Sequence, residues 1–268
     1  VDNDLEAFMR LLTLLVLPAL LLTACGGEDT KSNTVDLRGD EYAYVMPEKI
    51  EGGWTTLEFA NTGDELHEFA LAKLGPGKTI GDVKKYLADP KAQQGPPPDW
   101  VQIRAGIPTL AEGEEASLTQ QLEPGRYLLL CFLDGPDGRT HIEHGMLKTF
   151  DVEGDAGAEP PKTDATLDLG ADLAAPRLEG GIRTLELRND TDKPGSVFLT
   201  AFEPGKTEPD LTRWEENGMR GPAPARFLGG AIDVPAHSSV YYTITLEQGR
   251  EYTLLDDEHG IQRTFTPS

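Results

Sequence analysis

Apolar and polar residues alternate with a period of two along much of this chain, the signature of strands that bury one face. The segment VDLRGDEYAYVMPEKI reads as strand, and in WTTLEFANTG Leu57 and Phe59 alternate with Thr56, Glu58 and Ala60. Asn61, Thr62 and Gly63 turn the chain, and LHEFALAKL resumes the alternation through Phe69 and Leu71. One stretch breaks the period: in TIGDVKKYLADP, Ile80, Val83 and Leu87 share a helical face behind the N-cap residue Thr79. EASLTQQL and GRYLLLCFL restore the strand pattern, the second placing Tyr127, Leu129 and Cys131 on one face, and LKTFDV adds a short final strand.

The pattern then recurs. Residues 153–165, EGDAGAEPPKTDA, shift to Gly, Ala, Pro and acid and read as a linker. Beyond it, Glu51, Gly52 and Gly53 return as Glu179, Gly180 and Gly181; Leu57 and Asn61 as Leu185 and Asn189; Pro76–Thr79 as Pro204–Thr207, all at an offset of 128. The helix returns through Leu211 and Trp214, which match Val83 and Tyr86. Farther on, Gly125 and Arg126 match Gly249 and Arg250, while His144, Gly145, Thr149 and Phe150 match His259, Gly260, Thr264 and Phe265. These matches predict an all-β protein of two tandem copies, residues 34–152 and 166–268, each with one short helix.

Composition agrees, with 29 Gly and 20 Pro among 268 residues favouring short strands and turns. The net charge of -22 argues against nucleic acid and anionic lipid surfaces as partners. At the N-terminal end Met9 and Arg10 open an apolar run, Leu11 to Leu22, broken only by Thr13 and Pro18, and Leu22-Thr23-Ala24-Cys25 resembles a bacterial lipobox. That run is too short for a membrane span. It reads as a lipoprotein signal peptide over residues 1–24, with Met9 as the initiator, Cys25 as the lipidated first residue and residues 25–33 as a tether. The expected location is the outer face of a bacterial cell membrane, with membrane contact through the lipid anchor alone.

This leaves Cys131 without a disulfide partner, since the chain has only two cysteines. Cys131 stands with His141, His144 and Met146 inside one stretch, Gly125 to Val152, between two strand-like segments. Two imidazoles, a thiolate and a weak axial thioether suit copper in an electron-transfer site, and a donor from elsewhere in the chain is needed, for which His67 is the candidate. Other chemistry is poorly served. The GPGKT segment has Ala72 where a phosphate-binding loop needs its first Gly, and neither a nucleophile-elbow serine nor a zincin helix occurs.

Residues Asn33 to Val152 resemble the cupredoxin family, the Greek-key β-sandwich of plastocyanin-like blue-copper proteins. The resemblance lies in a turn Asn followed by His67 at a strand start, in Gly125, Tyr127 and Cys131 at the end of the penultimate strand, and in His141 with Met146 five residues later. It implies one type 1 copper in the first copy, held by His67, Cys131, His141 and Met146. His144 is the alternative to His141; the family spacing selects His141, and the recurrence of His144 as His259 marks that position as structural. The sequence also departs from the family: nine residues, FLDGPDGRT, separate Cys131 from His141, and Glu68 follows His67 where an Asn ties the loops together in plastocyanin.

The second copy lacks the ligands, with Gly195 at the His67 position, Leu255 or Asp256 at that of Cys131 and Ile261 at that of Met146. Copper enzymes of the family need more histidines: Leu130 stands where nitrite reductases place a second-copper His, and His-Cys-His runs are absent. The resemblance therefore implies a non-enzymatic, lipid-anchored carrier of single electrons that meets a protein redox partner and takes no small-molecule substrate. Its alternatives are a metal-free surface binding or assembly module and a protein that handles Cu(I).

Overall fold

The computed structural model describes residues 33–268, apart from 90, 92–94, 171–172 and 257. The signal segment, Cys25 and the tether up to residue 32 lie outside the described residues. The first half of the chain contains β1 (Thr34–Asp40), β2 (Ala43–Val45), β3 (Lys49–Glu51), β4 (Gly53–Asn61), β5 (His67–Leu74), α1 (Ile80–Leu87), β6 (Val101–Leu110), β7 (Glu115–Leu122), β8 (Gly125–Leu130), α2 (His141–His144) and β9 (Leu147–Glu153). The second contains β10 (Ala165–Asp168), β11 (Gly181–Asn189), β12 (Gly195–Phe202), α3 (Glu208–Glu216), β13 (Ala225–Val234), β14 (Ser238–Leu246), β15 (Tyr252–Asp256) and β16 (Ile261–Phe265). The protein is all-β, as its alternating pattern predicts. Among the described residues no helix is long and apolar enough to cross a membrane.

Strand faces follow the alternation. In β4, Leu57 and Phe59 are buried; in β5, His67, Phe69 and Leu71 are buried. On β8 both faces are covered: Tyr127, Leu129 and Cys131 join the main core, whereas Leu128 and Leu130 face a smaller cluster with Leu74 and Val83, joined by Leu87 of α1. Helix α1 begins in a capping box, in which Thr79 Oγ1 accepts from Asp82 N and the Asp82 carboxylate accepts from Thr79 N at 2.9 Å. Helix α3 begins with the matching pair Thr207 and Asp210. Helix α2 is an addition that the sequence reading did not foresee.

Corresponding residues of the two halves make like contacts. Asn61 Nδ2 donates to the carbonyls of Glu65 (2.7 Å) and Leu110 (2.8 Å), and Asn189 Nδ2 to those of Lys193 (2.7 Å) and Val234 (2.8 Å). Tyr127 stacks on Phe150 and Tyr252 on Phe265, each with centroids 5.6 Å apart.

The sheets, however, do not close within each half. One runs β10-β11-β14-β7-β4-β1-β2 and the other β16-β15-β12-β13-β6-β5-β8-β9-β3, so β14 pairs with β7 and β13 with β6 across the two halves. A single apolar cluster contains residues from Val35 to Phe265, and the described residues form one compact unit. The reading of two successive sandwiches therefore holds only in its coarser, all-β form. The reason is physical: β6, β7, β13 and β14 would otherwise be edges with unpaired N–H and C=O groups, and pairing them satisfies those groups. Arg226 adds a polar tie, meeting Glu114 of the first half and Glu247 of the second.

One feature of β5 sets the site. Its pairing with β6 slips twice, between His67 and Phe69 and between Phe69 and Leu71, each time with one extra residue on β6. Gly106 on β6 permits the second slip, because a Cβ there would stand 2.0 Å from Phe69 O.

Candidate metal centre

Three polar side chains meet in the interior at one end of the first half. His67 opens β5, Cys131 follows β8 and His141 opens α2, and none is more than 1% exposed. His67 Nδ1 lies 3.2 Å from His141 Nδ1, and Cys131 Sγ lies 3.3 Å from the same nitrogen. The three donor atoms all fall within 4.8 Å of one another, the grouping of this kind found among the described residues.

Local structure explains the convergence. The nine residues between Cys131 and His141 fold into a hairpin instead of lengthening the path: Asp134 bridges Thr140, Gly135 N donates to Arg139 O at 2.7 Å, and His141 N returns to Leu133 O at 2.8 Å. Thr140 and Glu143 then form a capping box, a T-x-x-E pattern that starts α2 at His141. Gly145 ends the helix at φ 110°, a conformation that L side chains rarely adopt, and turns Met146 back beneath the cysteine. Met146 is fully buried; its N–H donates to His141 O at 2.8 Å and its carbonyl accepts from Cys131 N at 3.3 Å.

His144 is placed elsewhere. Its Nε2 meets Asp137 Oδ1 at 3.0 Å and its ring stacks on Tyr42, with centroids 4.2 Å apart. Glu68 Oε1 accepts from Phe132 N at 2.8 Å, so this carboxylate makes the tie between the His67 strand and the cysteine loop.

The electrostatics favour neutral groups. Burial lowers the His67 pKa to about 4, with neighbouring His141 adding to the effect, and burial lowers His141 as well, against the opposing pull of Glu65. The Cys131 thiol is pushed up to about 12, by burial first and then by the charge of Glu68. Glu68 is itself raised to about 7 by burial, against the Phe132 N–H bond that lowers it.

Hydrogen bonding among the three is incomplete. Glu65 Oε2 lies 2.9 Å from His141 Nε2, so that nitrogen donates and Nδ1 offers a lone pair. The thiol and His67 Nδ1 both face that one lone pair. A proton on His67 Nδ1 leaves buried Nε2 as an acceptor without a partner; a proton on Nε2 sets two Nδ1 lone pairs against each other, with that Nε2–H still unmet. A soft cation takes the Nδ1 lone pairs of both imidazoles and the sulfur at once, displacing the thiol proton and removing the clash of lone pairs, with only His67 Nε2–H still unmet. The donor set therefore fits copper.

Sequence reasoning missed Glu65 and Tyr42, which hold His141 from outside. The signal available was the offset of 128, at which Glu65 becomes Lys193 and Tyr42 becomes Gly170.

No protein-family model matches the chain, and no curated protein matches it. Among solved structures, it is similar to dithionite-reduced auracyanin from the photosynthetic bacterium Roseiflexus castenholzii, at 25% identity over 46% of this chain and 98% of that one, with a TM-score of 0.32. It is similar to auracyanin A, a "blue" copper protein from Chloroflexus aurantiacus, at 20% identity over 45% of this chain and 98% of that one, with a TM-score of 0.31. An azurin from Methylomonas sp. strain J is 23% identical over 46% of this chain and 97% of that one, with a TM-score of 0.29.

Proposed function

We propose that the chain is an exported copper protein that carries single electrons, built from two fused cupredoxin-like halves of which only the first binds metal. The observation that carries this reading is the buried convergence of one donor atom each from His67, His141 and Cys131 within 4.8 Å, with His141 Nδ1 3.2 Å from His67 Nδ1 and 3.3 Å from Cys131 Sγ. Met146, whose backbone is bonded to both Cys131 and His141, is the fourth, weaker donor. Bound copper would supply a one-electron couple in a water-poor site. The protein's own part is to hold the donors: the bulge opposite His67, the hairpin before His141 and the turn at Gly145 fix all four positions through backbone bonds, which limits rearrangement between oxidation states.

The remainder of the reading rests on sequence. Leu22 to Cys25 support a lipid anchor on the outer face of a bacterial membrane, and a redox protein is the fitting partner. The protein is not an enzyme in this reading, which rests on the absence from the sequence of the additional histidines that copper enzymes of this family need.

Copper added to purified protein tests the proposal. The expected result is an intense visible thiolate-to-copper absorption that is lost in Cys131→Ser and in His141→Gln but kept in His144→Gln. Tight Cu(I) binding without that band would favour copper handling, and absence of copper binding would favour a metal-free module.

A further inference from the structure

The imidazole of His141 is held from its outer edge by groups that no ligand assignment includes. Glu65 Oε2 accepts from His141 Nε2 at 2.9 Å, and Glu65 Oε1 accepts from Tyr42 OH at 2.9 Å. Tyr42 in turn lies edge-on to His141, with centroids 5.2 Å apart at 71°, and is flat against His144. Glu65 and His141 line a cleft of about 620 Å³ that also takes in Trp214 and Arg220 of the second half. The Glu65 side chain is 23% exposed and that of His141 only 1%, so the carboxylate meets the solvent and shields the ring.

The second half supplies an internal control. Asn189 holds the Lys193 carbonyl as Asn61 holds that of Glu65, so the backbone is the same. Yet Lys193 replaces Glu65, Gly170 replaces Tyr42, and the shortened loop from Asp256 to His259 has no histidine to answer His141. The carboxylate and phenol occur only where there is an imidazole to hold.

We infer that Glu65 is a positioning residue for His141, fixing its Nε2–H tautomer so that Nδ1 faces Cys131 and His67, with Tyr42 fixing Glu65. This rests on the copper reading of the site. A carboxylate bonded to the far nitrogen makes an imidazole a stronger donor. Stronger donation favours Cu(II) over Cu(I) and so lowers the reduction potential.

The test has one arm without metal and one with it. In the metal-free protein, nitrogen NMR of the histidine rings is expected to show His141 protonated on Nε2, with that preference lost in Glu65→Ala. In the copper-loaded protein, Glu65→Gln keeps the shape and removes the charge; Cu(II) affinity is expected to fall 10- to 100-fold with Cu(I) affinity less affected. Each tenfold change in that ratio raises the potential by about 59 mV. Tyr42→Phe is expected to move the potential in the same direction by less. A His141 proton on Nδ1 in the wild type, or an unchanged tautomer in Glu65→Ala with an unchanged potential in Glu65→Gln, would overturn the inference while leaving the copper band intact. A wild type with the expected tautomer but no copper band would overturn the copper reading instead, and with it any role of Glu65 toward copper.

Discussion

His67 is a buried neutral imidazole, and that state ties stability to pH. Its folded pKa of about 4 lies below the ordinary value of 6.5, so its contribution is fully present above 6.5 and is lost as pH falls toward 4. The shift is equivalent to about 3 kcal/mol. Chemical denaturation of the metal-free protein at pH 7 and at pH 4 should show this loss in the wild type and a smaller one in His67→Gln, with His141 retaining a part of the same sign. Glu68 acts the other way. Its folded pKa, raised to about 7 from 4.5, gives a contribution that is present below 4.5 and lost as pH rises through 7. Glu68→Gln can keep the bond from Phe132 N, and is expected to raise the denaturation midpoint at pH 8 but not at pH 4. The donors were readable from sequence because a lone Cys, paired His and Met in one short stretch are scarce residue types with soft-metal chemistry. Glu65 is harder to read, since it is one of 46 acids, marked only by its replacement with Lys193 in the second half, until the hairpin delivers His141 to it.

At the scale of elements, the site depends on β5 starting opposite a bulge in β6 and on α2 starting at His141. Gly106→Ala would place a methyl group 2.0 Å from Phe69 O, a backbone atom that cannot swing away. This substitution is expected to cost more than about 3 kcal/mol, seen as a lower denaturant midpoint, and to weaken the copper band by displacing His67. The capping boxes at Thr79 and at Thr140 are local patterns that sequence displays, although the sequence reading names only Thr79, as an N-cap. Thr79→Ala should cost about 1 kcal/mol without altering the copper spectrum. The long Phe132–Thr140 segment looked like a liability because its length alone was visible; its Asp134–Thr140 bridge makes it a second small hairpin. Pairing of β6 with β13 and of β7 with β14 was not legible, because an alternating strand states which face is buried and not which strand lies beside it.

At the scale of the molecule, the two halves share both sheets and one core, and this predicts a single cooperative transition. Variants that keep only Trp100, from the first half, or only Trp214, from the second, should report the same denaturant midpoint. Separate midpoints would mean that the halves fold independently. A chain ending before residue 165 would leave the edges of β6 and β7 unpaired and is expected to associate or aggregate. The second half is in this account a covering and a cleft wall, not a second metal carrier. Its metal stoichiometry is therefore the most direct check on the whole reading. Stepwise addition of Cu(II) to the metal-free protein, followed by visible absorption, should give an intense band that saturates at one copper per chain, bleaches on one-electron reduction and returns on reoxidation. No band at any copper addition, or saturation at two coppers per chain, would contradict it.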